Sequence, residues 1–215
     1  AMSGGWSPVV HLWSHCGGKL LWDDGQALFR PDPDRPPLSH DGAGFVIAAG
    51  TAAGRIQAPT AMADAHEAGL RAVEGLGEPA SPAAIPMADA EAEGPLHPVW
   101  TSPAKMPPKL ASKAFLDFQN DVKVADVQLA AREGYESVEH AKRYTTLGMA
   151  TDQGKTSNIA GLAILAEARG AAIPEVGTTT FRPPYTPLTL GALAGEARGP
   201  LFKPVRKTPM DAWHD

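Results

Sequence analysis

A single cysteine, Cys16, stands among the 215 residues, so the chain can hold neither an internal disulfide nor a cysteine-ligated iron–sulfur cluster or zinc ribbon. Long apolar runs are missing as well. Leu162-Ala163-Ile164-Leu165-Ala166 falls far short of the ~18 residues that a membrane-spanning helix needs. Nor is there an excess of base: 19 Lys and Arg against 24 Asp and Glu give a formal charge of -5. That balance excludes a polybasic surface for nucleic acid or anionic lipid. No charged leader precedes an apolar stretch, so no secretion signal is read and the cytoplasm is the expected compartment. The sequence has no Gly-x-Ser-x-Gly elbow, His-Glu-x-x-His, calcium loop or internal repeat, and no carboxylate pair stands out as an acid–base dyad.

What the chain does have is glycine and proline. With 22 and 21 residues they make up a fifth of the sequence, against roughly 12% in average proteins. The apolar fraction of 43% is near normal, so a core is expected beside short elements, much loop and a linker. The fold class expected is a mixed one, α+β or α/β. The opening Ala1-Met2-Ser3-Gly4-Gly5-Trp6-Ser7-Pro8 reads as the end of a strand running into a glycine turn, which implies that the chain starts inside a domain.

Residues 1–76 form one compositional unit. Phe45-Val46-Ile47-Ala48-Ala49, introduced by Asp41-Gly42-Ala43-Gly44, predicts a buried strand. Gly50-Thr51-Ala52-Ala53-Gly54 follows as a turn, and Pro59 opens an Ala-rich helix that Gly75 ends. Residues 77–112 hold eight prolines without periodicity and read as a semi-rigid linker. Residues 113–170 predict a three-helix module. Its helices run over Val124–Arg132, from an N-cap at Ser137 to Gly148, and from a cap at Ser157 over Asn158–Arg169 to Gly170. Residues 171–215 form a Pro- and Gly-rich arm that stops without a terminating element.

Few constellations carry chemistry. Gly148-Met149-Ala150-Thr151-Asp152-Gln153-Gly154-Lys155-Thr156 places five residues where a phosphate loop has four, after a helix instead of a strand, and reads as a helix-to-helix loop. His11 and His15 would share a helix face beside Cys16, but no second pair of ligands follows and no metal site is assigned. The strand, glycine turn and helix over 45–75 suit a phosphate or flavin at the helix entrance, and equally describe a turn of any α/β protein.

Three stretches resemble the α subunit of heterotetrameric sarcosine oxidase. The first is Ser3-Gly4-Gly5-Trp6-Ser7-Pro8-Val9-Val10-His11-Leu12 with Gly17-Gly18-Lys19 and Trp22-Asp23. The most diagnostic is Lys113-Ala114-Phe115-Leu116-Asp117-Phe118-Gln119-Asn120-Asp121-Val122, continuing through Ser137-Val138-Glu139-His140 and Lys142-Arg143-Tyr144-Thr145-Thr146-Leu147 to Lys155. The third is Gly177-Thr178-Thr179-Thr180-Phe181-Arg182-Pro183-Pro184-Tyr185-Thr186-Pro187, with Arg206-Lys207-Thr208-Pro209 and Trp213-His214.

The resemblance implies an internal piece of that subunit. Residues 1–76 would end its NAD-binding domain, 113–170 would be the helical module, and 171–215 would lead into a folate-binding, aminomethyltransferase-like domain. The family demethylates sarcosine to glycine and passes the one-carbon unit to tetrahydrofolate. Its FAD lies in the β subunit and its FMN at the α/β interface, with γ and δ subunits completing the tetramer. No catalytic residue is then expected here. Thr51, Gly54, Ile56 and Ala58 would line the NAD site, and Thr145, Thr146 and Lys155 the FMN interface. Related opine- and proline-type amine dehydrogenases carry four cluster-binding cysteines in the same module. They align with Asp117, Gln119, Asp152 and Ser157, none of them cysteine, which favours the oxidase branch over the dehydrogenase one. A scaffold without cofactors is the remaining alternative.

Overall fold

The computed structural model describes residues 5–40, 45–90, 96–102, 107, 112–181, 185–203 and 205–214. Residues 1–4, 41–44 and 182–184, all used in the sequence argument, lie outside the described residues. The chain divides into two units, 1–182 and 183–215.

The first unit is built around one helix. Asn158–Arg169 buries Gly161, Leu162, Ala163, Ile164, Leu165 and Ala166 in succession, so it has no solvent face over almost two turns. Such a helix must be enclosed. Val124–Arg132 and Val138–Thr145 cover it with Val127, Ala130, Val138 and Ala141, and Leu147 and Val176 close the ends. A short hairpin, Phe115–Asp117 with Val122–Lys123, adds Leu116 and Val122. Asp121 turns it with φ +55, in the left-handed region that Asp tolerates better than most residues.

A second hairpin comes from earlier in the chain. Leu20–Asp23 pairs antiparallel with Leu28–Pro31, with Trp22 opposite Phe29 and Leu21 opposite Arg30. Alternation gives it two faces. Trp22 and Phe29 meet edge to face at 5.0 Å, and Phe29 is buried in the helical core. Arg30 points the other way, onto the turn that precedes the helix Ala58–Gly75. Trp13, on a short helix over His11–His15, donates its indole N–H to the Lys19 carbonyl at 2.8 Å and fixes the entry to this hairpin.

Several expected elements agree. The helix opened by Pro59 runs over Ala58–Gly75, and Val124–Arg132 and Asn158–Arg169 have the bounds read from their caps. Others differ. Residues 45–49 form no buried strand: Phe45 makes one bridge, to Leu38, and Phe45 and Val46 are half exposed, because no described strand lies beside them to complete a ladder. The opening strand end is likewise absent over residues 5–10. The helix capped by Ser137 ends at Thr145 instead of reaching Gly148, since Thr146 itself takes the left-handed conformation at φ +63. Ser157 precedes its helix without capping it, its hydroxyl buried and off the helix N–H groups. Within 183–215 there are short helices at Leu190–Ala194 and Asp211–His214 where an extended arm is expected. Among the described residues the architecture is thus helical with two small antiparallel sheets.

The enclosed helix makes a direct prediction. Leu165→Ala should destabilise the protein by about 3 kcal/mol, the cost of a fully buried leucine. Leu129→Ala, on the partly exposed face of its helix, should cost under about half of that by the same scale. Denaturant unfolding of both variants checks the ratio.

Candidate functional site

Two regions carry the sequence-derived residues. The first is the turn before the helix Ala58–Gly75. Gly50–Ala53 forms a single 3-10 turn that Gly54 ends at φ +85. Asp64, in the second turn of the helix, accepts a hydrogen bond from the Gly50 N–H at 2.8 Å and stands 3.8 Å from the Arg55 guanidinium. One carboxylate therefore holds both ends of the turn. Thr51 and Ala58 are exposed and Ile56 is half-buried, so a hydroxyl, an apolar wall and a helix entrance line the same short segment.

Gly54 is buried, and a Cβ built on it would lie 3.2 Å from Arg30 Cβ and 3.3 Å from Arg30 Cδ. The glycine makes room for the stem of an arginine, so this backbone is closed to direct approach by a ligand from that side. Sequence reasoning named neither Arg30 nor Asp64. Arg30 lies far upstream of the turn and carries no local signal that links it there, and Asp64 offers only an acid on the helix that follows.

The second region is the loop cluster at the start of the enclosed helix. Asp117 is 2% exposed, yet its carboxylate is well satisfied. Oδ1 accepts from the N–H groups of Gln119 at 2.9 Å and Asn120 at 3.0 Å, and Oδ2 accepts from Gly148 N–H at 2.8 Å. Gln119 Oε1 then accepts from the Thr151 hydroxyl and the Asp152 N–H, both at 3.2 Å. Asp152 in turn accepts from Gly154 N–H at 3.1 Å and the Thr156 hydroxyl at 3.0 Å. Asp117, Gln119 and Asp152, which the resemblance aligns with cluster-binding cysteines, so form one continuous polar network, with Ser157 buried just beyond it. The network closes the two loops through hydrogen bonds alone.

The flavin-side residues are unequal. Thr145 donates its hydroxyl proton to the Ala141 carbonyl at 2.8 Å and Thr146 to the Thr145 carbonyl at 2.6 Å. Both protons are thus engaged in closing a helix, which leaves these oxygens as acceptors. Lys155 is exposed. Its charge is felt at His11, whose pKa is pushed below the ordinary histidine value by burial first, then by His15 and Lys155. The His11 and His15 rings meet edge to face at 5.9 Å. Among the described residues no group of three or more His, Cys, Asp and Glu could hold a metal ion.

Comparisons with known proteins agree with one another. Residues 111–196 match the sarcosine oxidase A3 domain. The chain is 44% identical to the sarcosine oxidase α subunit of Rhizobium meliloti (strain 1021) over 99% of its own length, and 40% identical to that of Corynebacterium sp. (strain P-1) over 100%. Along nearly its whole length the chain is thus similar to sarcosine oxidase α subunits. It spans 20% and 22% of the length of those two relatives. An opine oxidase subunit of Rhizobium meliloti (strain 1021) is more distant, at 26% identity over 87% of this chain and 42% of its own. In fold, 88% of the chain superposes on 38% of a crystal structure of L-proline dehydrogenase from P. horikoshii, with a TM-score of 0.61 and 22% identity. That likeness extends to the fold of most of the chain.

The buried carboxylate of Asp117 can be tested. Asp117→Asn turns one acceptor oxygen into a donor facing N–H groups, and should cost about 2–3 kcal/mol. Gln119→Ala, at an exposed position of the same network, should cost about 1 kcal/mol or less. Thermal unfolding of the two variants gives the comparison.

Proposed function

We propose that the chain works as part of the α subunit of an enzyme that oxidatively demethylates sarcosine to glycine and passes the one-carbon unit to tetrahydrofolate. Identities of 40–44% along essentially the whole chain to sarcosine oxidase α subunits support this most directly. The weaker 26% identity to the opine oxidase subunit ranks the opine- and proline-type reading second. In the proposed assembly the partners are β, γ and δ subunits, FAD belongs to β, FMN to the α/β interface and tetrahydrofolate to a further domain. The compartment is the cytoplasm, in keeping with the absence, among the described residues, of a helix long and apolar enough to cross a membrane.

This stretch contributes positioning, not catalysis. Residues 1–76 end an NAD-binding domain, 77–112 link it to the helical module of 113–170, and 171–215 lead towards the folate domain. The turn of Thr51, Gly54, Ile56 and Ala58 takes one side of NAD: Thr51 offers an exposed hydroxyl, Ile56 an apolar surface, and Ala58 the entrance of an 18-residue helix, whose free N–H groups favour negative charge. Gly54 serves indirectly, by admitting the Arg30 stem. A flavin supplies the electron acceptor for amine oxidation. At its interface Lys155 places a cation on an exposed loop, while Thr145 and Thr146 hold that loop's helix closed.

Two measurements test this reading. In the full-length subunit, Thr51→Trp should abolish NAD binding in calorimetry, and unchanged affinity would remove the turn from the site. In the assembled enzyme, Lys155→Ala should loosen FMN or shift its absorption spectrum. If both retention and spectrum stay as in the parent, the lysine lies away from the flavin.

A further inference from the structure

A cavity of about 430 Å³ opens at one end of the helical module, and Glu136, Ser137, Arg169, Ala171 and Glu175 line it. Its size lies within the roughly 300–1,000 Å³ of small-molecule sites. Three elements meet there. Arg169 is the last residue of the enclosed helix, Ser137 caps Val138–Thr145 with Glu136 just before it, and Glu175 belongs to the short helix Ile173–Val176.

The polar groups of the lining are anchored but not used up. Arg169 donates from Nη1 to the Glu136 carbonyl at 2.8 Å, which takes one of its five N–H donors. Its Nη2 stands 3.9 Å from Glu136 Oε2, beyond hydrogen-bonding range, and its side chain is 26% exposed. Glu175 Oε2 accepts from the Ala172 N–H at 2.8 Å, and Oε1 keeps its own lone pairs to offer. The Ser137 oxygen accepts from the Glu139 N–H at 3.3 Å, and its O–H proton can still be donated. Glu136 is 81% exposed, and an ion pair so exposed and so long adds little to stability, so a ligand can displace it cheaply.

The signs around the cavity select its occupant. A simple anion drawn to Arg169 would meet Glu136 and Glu175, and a simple cation drawn to those carboxylates would meet Arg169. A molecule that carries both signs a few bonds apart is matched on every side. The planar guanidinium fork fits a carboxylate, and the glutamates fit an ammonium group. Ala171 leaves a small apolar wall beside them.

We infer that this cavity binds a small zwitterionic α-amino acid, its carboxylate on Arg169 and the Ser137 hydroxyl and its ammonium group between Glu136 and Glu175. The site shares no residue with the turn at 50–58 or with the network from Asp117 to Asp152, and so is independent of the NAD and flavin readings.

Glycine is the probe, titrated into the full-length subunit and followed by saturation-transfer NMR, with acetate and methylamine as ligands of one sign only. Glycine should bind with a Kd of about 1 mM, the scale set by so few contacts. Glu175→Gln keeps an acceptor for the Ala172 N–H, so the local fold is retained, and should weaken glycine by about tenfold. Arg169→Gln should weaken it as much, and Arg169→Lys, which keeps the charge without the fork, should fall between. Arg71→Gln removes an ion pair from an exposed helix face and should change nothing. Acetate and methylamine at equal concentration should not displace glycine. Displacement by either, or a glycine affinity that Glu175→Gln leaves intact, overturns the proposal. So do a loss on Arg71→Gln as large as that on Glu175→Gln, and an absence of glycine binding at about 20 mM.

Discussion

The helix Asn158–Arg169 has nowhere to put a polar side chain over its middle turns, and the arrangement of the first unit follows from that. A helix buried on all sides needs cover from several directions, which two flanking helices cannot supply alone. The remainder comes from the small hairpin at 115–123 and from Phe29, borrowed from a hairpin far earlier in the chain. The start of the helix is then crowded. Asn158 packs its amide against the α-carbons of Gly148 and Gly154 while donating to the Thr179 hydroxyl at 2.9 Å, so a side chain on either glycine would collide with it. The loop entering the helix has little freedom, and Asp117 ties that loop to the hairpin through Gly148.

This arrangement separates two tasks on one scaffold. Hydrophobic burial sets where the helices lie, and a chain of charge-assisted and neutral hydrogen bonds from Asp117 through Gln119 to Asp152 sets the loops. The polar network joins the residues that the resemblance aligns with cluster-binding cysteines. A cluster would join such loops through its ligands, and here backbone N–H groups converge on a carboxylate instead. The module thus has its own means of holding its shape.

The helices were legible in the sequence because their stops are local. Pro59 at a first turn, Ser137 as a cap whose hydroxyl accepts from Glu139 N–H, and Gly170 in the left-handed region each act within a few residues of themselves. The hairpins were missed because neither is stable by its own sequence, and their strands are only two to four residues long. Asp24-Gly25 between two apolar runs was a usable turn signal. Residues 45–49 misled in the opposite sense, since an apolar run bounded by glycines specifies burial only where a neighbouring strand exists. The resemblance pointed to Thr51, Ile56 and Ala58 on the turn, while Arg30 and Asp64 are brought to that turn by tertiary packing that no local signal announces.

The hairpin at 20–31 has a consequence for how this region can change over evolutionary time. Its second strand carries Phe29 and Arg30 as neighbours on opposite faces, one lodged among the helices and one laid over Gly54. Sliding that strand by one residue would present a guanidinium to the oily interior and a phenyl ring to the glycine turn, so two unrelated regions would fail together. Insertions and deletions here are therefore filtered by parity: changes absorbed within the turn at 24–27 leave both faces intact, while an odd-numbered slip along the strand has no partial remedy. Among distant relatives, spacing across this hairpin should drift more slowly than the identity of the residues within it.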